Sequence, residues 1–357
     1  MSKAPPLTYK PQLDALRALA AMAVMAEHFP QQELIPWQVF QLGYIGLLGV
    51  LLFFVLSGYL ITGILLSSRP SPFQTALKRF YIRRTLRIFP IYHLTLLILF
   101  VVGLPSVTGY IFWHALYVSN VLFVLQPQVA APIAHLWTLS VEEQFYLIWP
   151  FLILGVPYKL LLRVILWAIG IGIGWKALII ETVADHLAGG LVVFSCLDSL
   201  ALGALLAYIE QDESLCLKRQ NILSGLLATG SVVILTQAVL LMTDSGRGLV
   251  LVTAYLGPSL VFVWLVGRAA VGFKGWFGAV LDWSPLRYLG KISYGVYLYH
   301  YFMPRVIESL IKFLGFAQPG NLSAALLAFL LTLLAAALSW HLVEKPISVL
   351  KEKLSQR

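Results

Sequence analysis

Long runs of apolar residues recur along the chain, and short segments between them contain most of its charged residues. A membrane-spanning helix needs about 20 mostly apolar residues, and windows of that length predict ten such helices. The spans are 12–29, 43–66, 84–103, 135–156, 160–179, 190–209, 222–242, 248–267, 290–314 and 322–343. An aromatic stretch at 108–126 predicts a further short helix that lies in the interface or re-enters. The pattern predicts an all-α, polytopic integral membrane bundle of about ten transmembrane helices.

Composition excludes the main alternatives to a membrane protein. Hydrophobic residues make up 59% of the chain and charged residues 11%, whereas charged residues make up about 25% of ordinary globular proteins. So much apolar surface would aggregate in a soluble fold, and a disordered chain would be polar and highly charged. With no internal repeat, the chain is predicted to be one membrane domain over 1–357, with a core at about 12–346 and short tails at 1–11 and 347–357.

The distribution of Lys and Arg predicts the orientation. If the N-terminus is cytoplasmic and the spans alternate, 21 of the 25 basic residues lie on the cytoplasmic side. The remaining four are Lys176, Arg247, Arg305 and Lys312. This asymmetry follows the positive-inside rule and predicts that both termini are cytoplasmic. Topology therefore accounts for the net charge of +9, and no nucleic-acid partner is needed to explain it.

The first predicted span contains two ionisable residues on one helical face. Arg17 and His28 are eleven residues apart, which corresponds to a rise of about 16 Å and a rotation within roughly 20° of three full turns. Because ionisable residues in a membrane are costly, such a pair indicates a functional site. The alternative is that Arg17 extends to the inner interface and His28 lies at the outer one.

The second span combines small and hydroxyl residues. Gly43, Gly46 and Gly49 are spaced by three residues, which favours close packing against a neighbouring helix. Ser57, near the predicted inner end, is a candidate to hydrogen-bond a substrate, although a packing role is the favoured interpretation.

Arginines cluster at the start of the third span, in the sequence Y-I-R-R-T-L-R-I-F-P. Arg87 lies four residues after Arg83 and three residues after Arg84, so a helix places the guanidinium groups close together. Guanidinium binds phosphate through two oxygens at once, which favours a phosphorylated ligand with Tyr81 beside it. Lipid headgroups are the alternative ligand. Pro90 is expected to interrupt the helix just beyond the cluster.

Two adjacent carboxylates, Glu142 and Glu143, lie about two turns into the fourth span. Neighbouring helical side chains point about 100° apart, so only one of them is expected to face a cavity. A structural ion pair is the alternative explanation. Asp198 and His300 are further polar residues within spans, whereas His93, His114, His135, His186 and His341 are interpreted as structural. No group of side chains has the spacing of a metal site.

Together these segments resemble the membrane acyltransferase-3 family, whose members O-acylate cell-surface polysaccharides. The resemblance covers about Leu13 to Pro346, and the segments that carry it are Arg17-x10-His28, F-F-V-L-S-G-Y-L-I at 53–61, R-R-T-L-R-I-F-P at 83–90, L-S-V-E-E-Q-F-Y-L-I-W-P at 139–150, S-Y-G-V-Y-L-Y-H at 293–300 and E-K-P at 344–346. The resemblance implies transfer of an acyl group, usually acetyl from acetyl-CoA, onto a hydroxyl of a cell-surface or lipid-linked carbohydrate. It also implies that Arg17, Arg83, Arg84 and Arg87 bind the donor and that His28 is catalytic.

The residues themselves fit that chemistry. We expect His28 to take the proton of the acceptor hydroxyl, and Glu142 or Glu143, with a slight preference for Glu143, to orient its imidazole. An acyl-histidine relay is the alternative mechanism. The competing classes are a transporter of an acyl or sugar compound and, less favoured, a membrane scaffold. The expected partners are acyl-CoA, the acceptor and membrane lipids, with no metal, and the expected location is the plasma (inner) membrane.

Overall fold

The computed structural model describes residues 9–29, 44–130, 133–182, 191–243, 247–315 and 320–348. Within these residues every regular element is helical, which confirms the all-α fold class. The helices are α1 (Pro11–His28), α2 (Tyr44–Ser68), α3 (Phe73–Val101), α4 (Pro105–Thr108), α5 (Ile111–Ala115), α6 (Ser119–Leu125), α7 (Leu136–Gly155), α8 (Tyr158–Thr182), α9 (Val193–Gln211), α10 (Glu213–Leu217), α11 (Arg219–Met242), α12 (Arg247–Val271), α13 (Gly275–Leu281), α14 (Ser284–Lys291), α15 (Ser293–Tyr299), α16 (Met303–Leu314) and α17 (Asn321–Ser339).

Seven of the described helices are long and apolar enough to cross a membrane: α2, α3, α8, α9, α11, α12 and α17, the last together with the π-helical turn Trp340–Glu344. Two more, α1 and α7, have 18 and 20 residues but are less apolar because they contain ionisable residues. These nine helices coincide with nine of the ten predicted spans. The number that cross the membrane and the side on which the termini lie stay predictions.

The predicted span 290–314 is not one helix. The chain forms α14, α15 and α16 in succession, with breaks at Ile292 and at 300–302. Ile292 has φ −90° and ψ 3°, outside the helical region. Pro304 lies in the first turn of α16, where its missing N–H costs nothing, whereas inside a continuous helix it would remove a hydrogen bond. The hydrophobicity of these 25 residues therefore predicted an apolar segment correctly, but it did not predict that the segment is divided among several helices.

Pro90 does not interrupt α3, which continues through it to Val101. The helix also begins earlier than predicted, at Phe73, so the arginine cluster lies in its middle. A proline without an N–H leaves the carbonyl of Leu86, four residues earlier, without its regular helical donor. The aromatic stretch 108–126 forms two short helices, α5 and α6, where the sequence predicted one, with Pro105–Thr108 just before them. Their place in the interface stays a prediction.

Glycines allow α2 to pack directly against two neighbouring helices. Gly46 contacts Glu27 and Gly49 contacts the backbone of Ala20, both on α1, which confirms the predicted close packing. On the opposite side Gly58 contacts the backbone of α9, and Gly203 of α9 contacts the backbone of α2 in return. A Cβ atom at either of the last two positions would collide with main-chain atoms. Gly43 lies outside the described residues.

A buried ion pair joins three helices on the other side of α9. Lys176 of α8 places Nζ 2.7 Å from Oδ2 of Asp198 on α9 and donates to the carbonyl of Ser195 at 2.8 Å. The same Nζ lies 4.9 Å from the centre of the Tyr255 ring on α12. Lys176 and Asp198 are 1% and 0% exposed. The pair connects α8, α9 and α12 at a depth where water does not compete for either charge.

We expect Asp198→Asn to lower the stability of the protein by about 3–5 kcal/mol, because Lys176 would remain charged and buried without a counter-ion. Thermal unfolding in detergent, followed by circular dichroism, measures the effect. The double variant Lys176→Met/Asp198→Leu removes both charges and should recover much of the loss. An Asp198→Asn protein that unfolds at the wild-type temperature would show that the pair contributes nothing to stability.

Candidate active site

A partly open space, called here the inner cavity, lies between α1, α2, α3, α7 and α15 and has a volume of about 80 Å³. Its lining combines apolar side chains with an unusual number of charged and hydroxyl groups. The lining residues are Arg17, Val50, Phe53, Phe54, Leu56, Ser57, Arg84, Arg87, Ile88, Thr138, Leu139, Glu142, Glu143, Tyr146, Ser293, Tyr294 and Tyr297. Six of the site residues proposed from the sequence therefore meet in one space.

A chain of hydroxyl groups crosses the inner cavity from α2 to α7. The hydroxyl of Tyr146 donates to Oε2 of Glu142 at 3.0 Å and is also bonded to the Ser57 hydroxyl. Because the single proton of Tyr146 goes to the carboxylate, Ser57 must donate to Tyr146. Arg84 of α3 lies over the Tyr146 ring, with its guanidinium carbon 4.6 Å from the ring centre. The arrangement fixes these side chains before any ligand binds.

Both glutamates line the inner cavity, so the expectation that only one of them could face it is wrong. Oε1 of Glu143 is buried and has no hydrogen-bond partner among the described residues. A cavity that extends around the side of α7 admits side chains that point about 100° apart. The unpartnered oxygen is an acceptor available to a ligand N–H or O–H group.

Two of the proposed donor-binding residues lie elsewhere. Arg83 is exposed and Tyr81 donates from its hydroxyl to the carbonyl of Leu147 at 2.7 Å. Neither belongs to the lining of the inner cavity in the described part of the chain. Around the axis of α3, Arg87 lies between Arg83 and Arg84, about 40° from the first and about 60° from the second. The inner cavity lies on the Arg84 side of Arg87, where Ile88 also lines it.

A second space, called here the vestibule, has a volume of about 310 Å³ and shares Arg17 and Arg87 with the inner cavity. Its lining residues are Tyr9, Asp14, Arg17, Leu86, Arg87, Lys291, Trp340, Glu344 and Ser348. Since two guanidinium groups border both spaces, the vestibule and the inner cavity adjoin each other at Arg17 and Arg87. The vestibule lies at the end of α1 that the sequence places in the cytoplasm.

His28 lies at the opposite end of α1 from the vestibule, in its last turn, and is exposed. Its Nδ1 is 2.8 Å from the carbonyl oxygen of Val24. A carbonyl only accepts, so the ring proton is on Nδ1 and the lone pair is on Nε2. Backbone therefore fixes the tautomer that makes His28 a base, a role that the sequence analysis gave to a carboxylate.

Two further histidines, His300 and His135, lie close to His28. His300 lies 5.0 Å from His28 between ring centres, and His135 lies 5.4 Å from His300. His300 donates from Nδ1 to Tyr297 O at 2.6 Å, and His135 from Nε2 to Leu298 O at 3.1 Å. Their other nitrogens, Nε2 and Nδ1 respectively, are buried without a partner among the described residues. Three imidazoles with free lone pairs thus adjoin one another at this end of the bundle.

The sequence analysis interpreted His135 as structural and noted His300 only as a polar residue. The S-Y-G-V-Y-L-Y-H segment was the available signal for His300, because a histidine ending an apolar helix is unusual. Nothing in the sequence marked His135 as a member of this cluster. It precedes α7 and lies against the chain near the break at 300–302. His186 lies outside the described residues. His114 is bonded through both ring nitrogens, and His93 places its two nitrogens 3.0 Å and 3.2 Å from backbone carbonyl oxygens, as expected of structural histidines.

The predicted pairing of His28 with Glu142 or Glu143 does not appear among the described contacts. His28 packs against His300 and Tyr301, whereas Glu142 bonds to Tyr146 within the inner cavity. The sequence could not measure the separation between α1 and α7.

A layer of two aromatic rings stands between the inner cavity and the histidines. Phe53 of α2 and Tyr297 of α15 line the cavity and meet edge to face, with ring centres 5.8 Å apart. Tyr297 also contacts His300, at 5.5 Å between ring centres, and His300 contacts His28. Tyr297 is therefore the side chain that the inner cavity and the histidine cluster have in common.

This arrangement suits transfer of a group from a phosphorylated donor to an acceptor on the His28 side. Guanidinium groups bind phosphate, hydroxyls and a free carboxylate oxygen suit the amides of a polar chain, and a neutral imidazole takes a proton. The described residues contain no group of His, Cys, Asp and Glu placed to hold a metal ion.

Comparisons with known proteins agree with this chemistry. The model of a family described as an acyltransferase domain matches residues 10–341. A peptidoglycan O-acetyltransferase of Listeria monocytogenes is 29% identical over 95% of this chain and 56% of its own length. A putative peptidoglycan O-acetyltransferase of Bacillus subtilis is 30% identical, covering 95% and 55%, and a putative O-acetyltransferase of Staphylococcus aureus is 26% identical, covering 95% and 57%. The chain thus spans just over half the length of these relatives. No solved structure matches it significantly.

Proposed function

Because this chain belongs to the membrane acyltransferase-3 family, we propose that it transfers an acetyl group from acetyl-CoA to a hydroxyl of a cell-wall carbohydrate. The observation that carries the proposal is the arginine-lined inner cavity, which begins on the helix that ends at His28. The acetyl group and the carbohydrate acceptor are suggested by the names of the relatives. A plasma-membrane location, with the vestibule towards the cytoplasm, would give the protein access to both substrates.

Donor binding follows from charge and shape. Coenzyme A combines phosphate groups with a long, neutral pantetheine arm that contains two amides. We propose that Arg17 and Arg87, which border both spaces, bind phosphate, while the arm extends into the inner cavity. There Ser57 and the unpartnered Oε1 of Glu143 are positioned to meet its amides. Arg84 is held over Tyr146 and limits the width of the cavity.

The proposed reaction takes place beside His28. Its Nε2 removes the proton of the acceptor hydroxyl as the oxygen attacks the thioester carbon, and the imidazolium that forms is held through Nδ1–H by Val24 O. When the tetrahedral intermediate collapses, the C–S bond breaks and the thiolate of coenzyme A leaves. His28 returns the proton to that thiolate, so the enzyme ends the cycle neutral. The ring layer of Phe53 and Tyr297 has to part for the thioester to reach His28.

The hydroxyl chain provides a prediction of its own. We expect Tyr146→Phe to reduce acetyl transfer by roughly tenfold, because Ser57 loses its acceptor and Glu142 its donor inside a desolvated cavity. The measurement is the initial rate of acetyl transfer at saturating acceptor. Tyr81→Phe is the matched control, since its hydroxyl bonds to backbone outside the lining, and its rate should stay within a few-fold of wild type. Equal rates for the two variants would contradict a role for the hydroxyl chain.

The direct test of the function uses the protein purified and reconstituted in lipid vesicles. With acetyl-CoA present, we expect free thiol to appear faster when peptidoglycan fragments are added, and the fragments should gain acetyl groups that mass spectrometry locates on oxygen. Vesicles without the protein are the control. Uptake of the acyl compound into sealed vesicles without thiol release would instead show a transporter, and neither activity would refute the proposal.

A further inference from the structure

We infer that the vestibule is a binding site for the nucleotide head of the donor, with Lys291 contacting phosphate and Trp340 stacking on the adenine. The inference rests on the proposed function, which supplies the donor, and adds residues that the family motifs considered above leave without a role. It also divides the donor between two spaces: the head in the vestibule and the pantetheine arm in the inner cavity.

The shared lining and the charges support this division. The vestibule and the inner cavity adjoin each other and have Arg17 and Arg87 in common. Three cations from three different helices face the vestibule: Arg17 of α1, Arg87 of α3 and Lys291 at the end of α14. They outnumber its two carboxylates, Asp14, which lies 3.9 Å from Arg17, and Glu344. Because Arg17 and Arg87 border both spaces, a phosphate between them places one end of the donor on each side.

The remaining lining suits a nucleotide better than a simple anion. Trp340 and Tyr9 provide aromatic faces, and stacking of a base on such a face is worth about 1–3 kcal/mol. Glu344 provides a carboxylate, and the Leu86 carbonyl lacks its regular helical donor because of Pro90. Both are acceptors suited to the adenine amino group and the ribose hydroxyls. Free phosphate or a lipid phosphate would gain nothing from these acceptors.

The backbone around Trp340 departs from a regular helix. The turn Trp340–Glu344 is π-helical and follows directly on α17. Such turns insert an extra residue into a helix and occur frequently at functional sites. Here the wider turn places both Trp340 and Glu344, four residues apart, on the vestibule.

Isothermal titration calorimetry of the intact protein tests the inference without any need for the acceptor. The ligands are coenzyme A, 3′-dephospho-coenzyme A and pantetheine, each titrated into wild type and Lys291→Gln. We expect Lys291→Gln to weaken coenzyme A binding roughly 5–10-fold and to leave pantetheine binding unchanged, since pantetheine has no phosphate. Lys274→Gln, which removes an exposed lysine outside the vestibule lining, is the matched control and should bind all three as wild type does.

Substitutions of Trp340 measure the contribution of stacking to donor affinity separately from that of charge. Trp340→Leu should weaken coenzyme A and its 3′-dephospho form equally, by about tenfold, while Trp340→Phe retains most of the affinity. If Lys291→Gln and Trp340→Leu change pantetheine binding as much as coenzyme A binding, or change neither, the assignment of the vestibule is overturned. That failure differs from failure of the proposed function, which would appear as wild-type protein that releases no thiol from acetyl-CoA. Wild type that binds none of the three ligands would overturn both.

Discussion

His28→Ala lowers the rate of acetyl transfer by about 10²–10⁴-fold, which is the usual loss when a general base is removed. The expectation depends on the fixed tautomer: Val24 O holds the proton on Nδ1, so Nε2 is free to accept one. Donor binding should remain, because His28 does not line either the inner cavity or the vestibule as the structure describes them. The transfer rate and coenzyme A affinity, measured on the same preparation, check both parts.

A second histidine variant provides the comparison for His28. His93 on α3 places both ring nitrogens against backbone carbonyls, of which a neutral imidazole bonds to only one, and contacts no residue of the proposed reaction centre that the structure describes. His93→Gln should therefore retain activity within a few-fold of wild type. His28→Ala that keeps a tenth or more of the wild-type rate would exclude His28 as the base and also as an acyl carrier.

Arg84→Ala/Arg87→Ala weakens donor affinity by about 10²-fold, since the charge-assisted contact of Arg87 with phosphate, worth about 1.5–3 kcal/mol, is lost together with the packing of Arg84 in the inner cavity. Part of this loss comes from Arg84 releasing Tyr146, whose ring it covers at 4.6 Å. The remaining affinity should depend less on ionic strength, because fewer phosphate contacts are left to screen. Titration of coenzyme A at low and high salt gives both quantities.

Two neighbouring arginines make this test specific. Arg79→Ala, an exposed position on α3 away from both spaces, controls for a general loss of positive charge. Arg83→Ala distinguishes the family resemblance, which assigns Arg83 to the donor, from the structure, in which Arg83 is exposed outside the cavity lining. A double variant with unchanged affinity would reduce Arg84 and Arg87 to determinants of topology.

The sequence predicted the helices well because their signal is local. Twenty apolar residues specify a membrane helix wherever they occur, and small residues such as Gly49 specify close contact. It failed at the two breaks in the span 290–314, where continuity depends on the backbone angles of Ile292 and on Pro304 at the start of α16 rather than on hydrophobicity. The 17 residues that line the inner cavity come from five helices. The sequence motifs were nevertheless enough to identify the charged residues among them.

Relations between helices were harder to predict than positions on one helix. Arg17 and His28 were placed correctly at the two ends of one face, since helix geometry alone sets that distance. The partner of His28 was not placed correctly, because the sequence does not give the distance between α7 and the end of α1. His300 and His135 meet there only because the chain breaks at 300–302 and allows α15 to approach α7.

The rings of Phe53 and Tyr297 have a consequence for the electrical resistance of the membrane. A water-filled passage from the vestibule to the exposed His28 would let protons and small ions leak across the bilayer. In this structure the two rings meet edge to face on the side of the inner cavity towards His300, and we expect them to close that route. We expect it to open only around the acyl arm of a bound donor, whose own atoms then fill the gap. The cell would therefore keep its ion gradients during turnover, without the large alternating movements that transporters require.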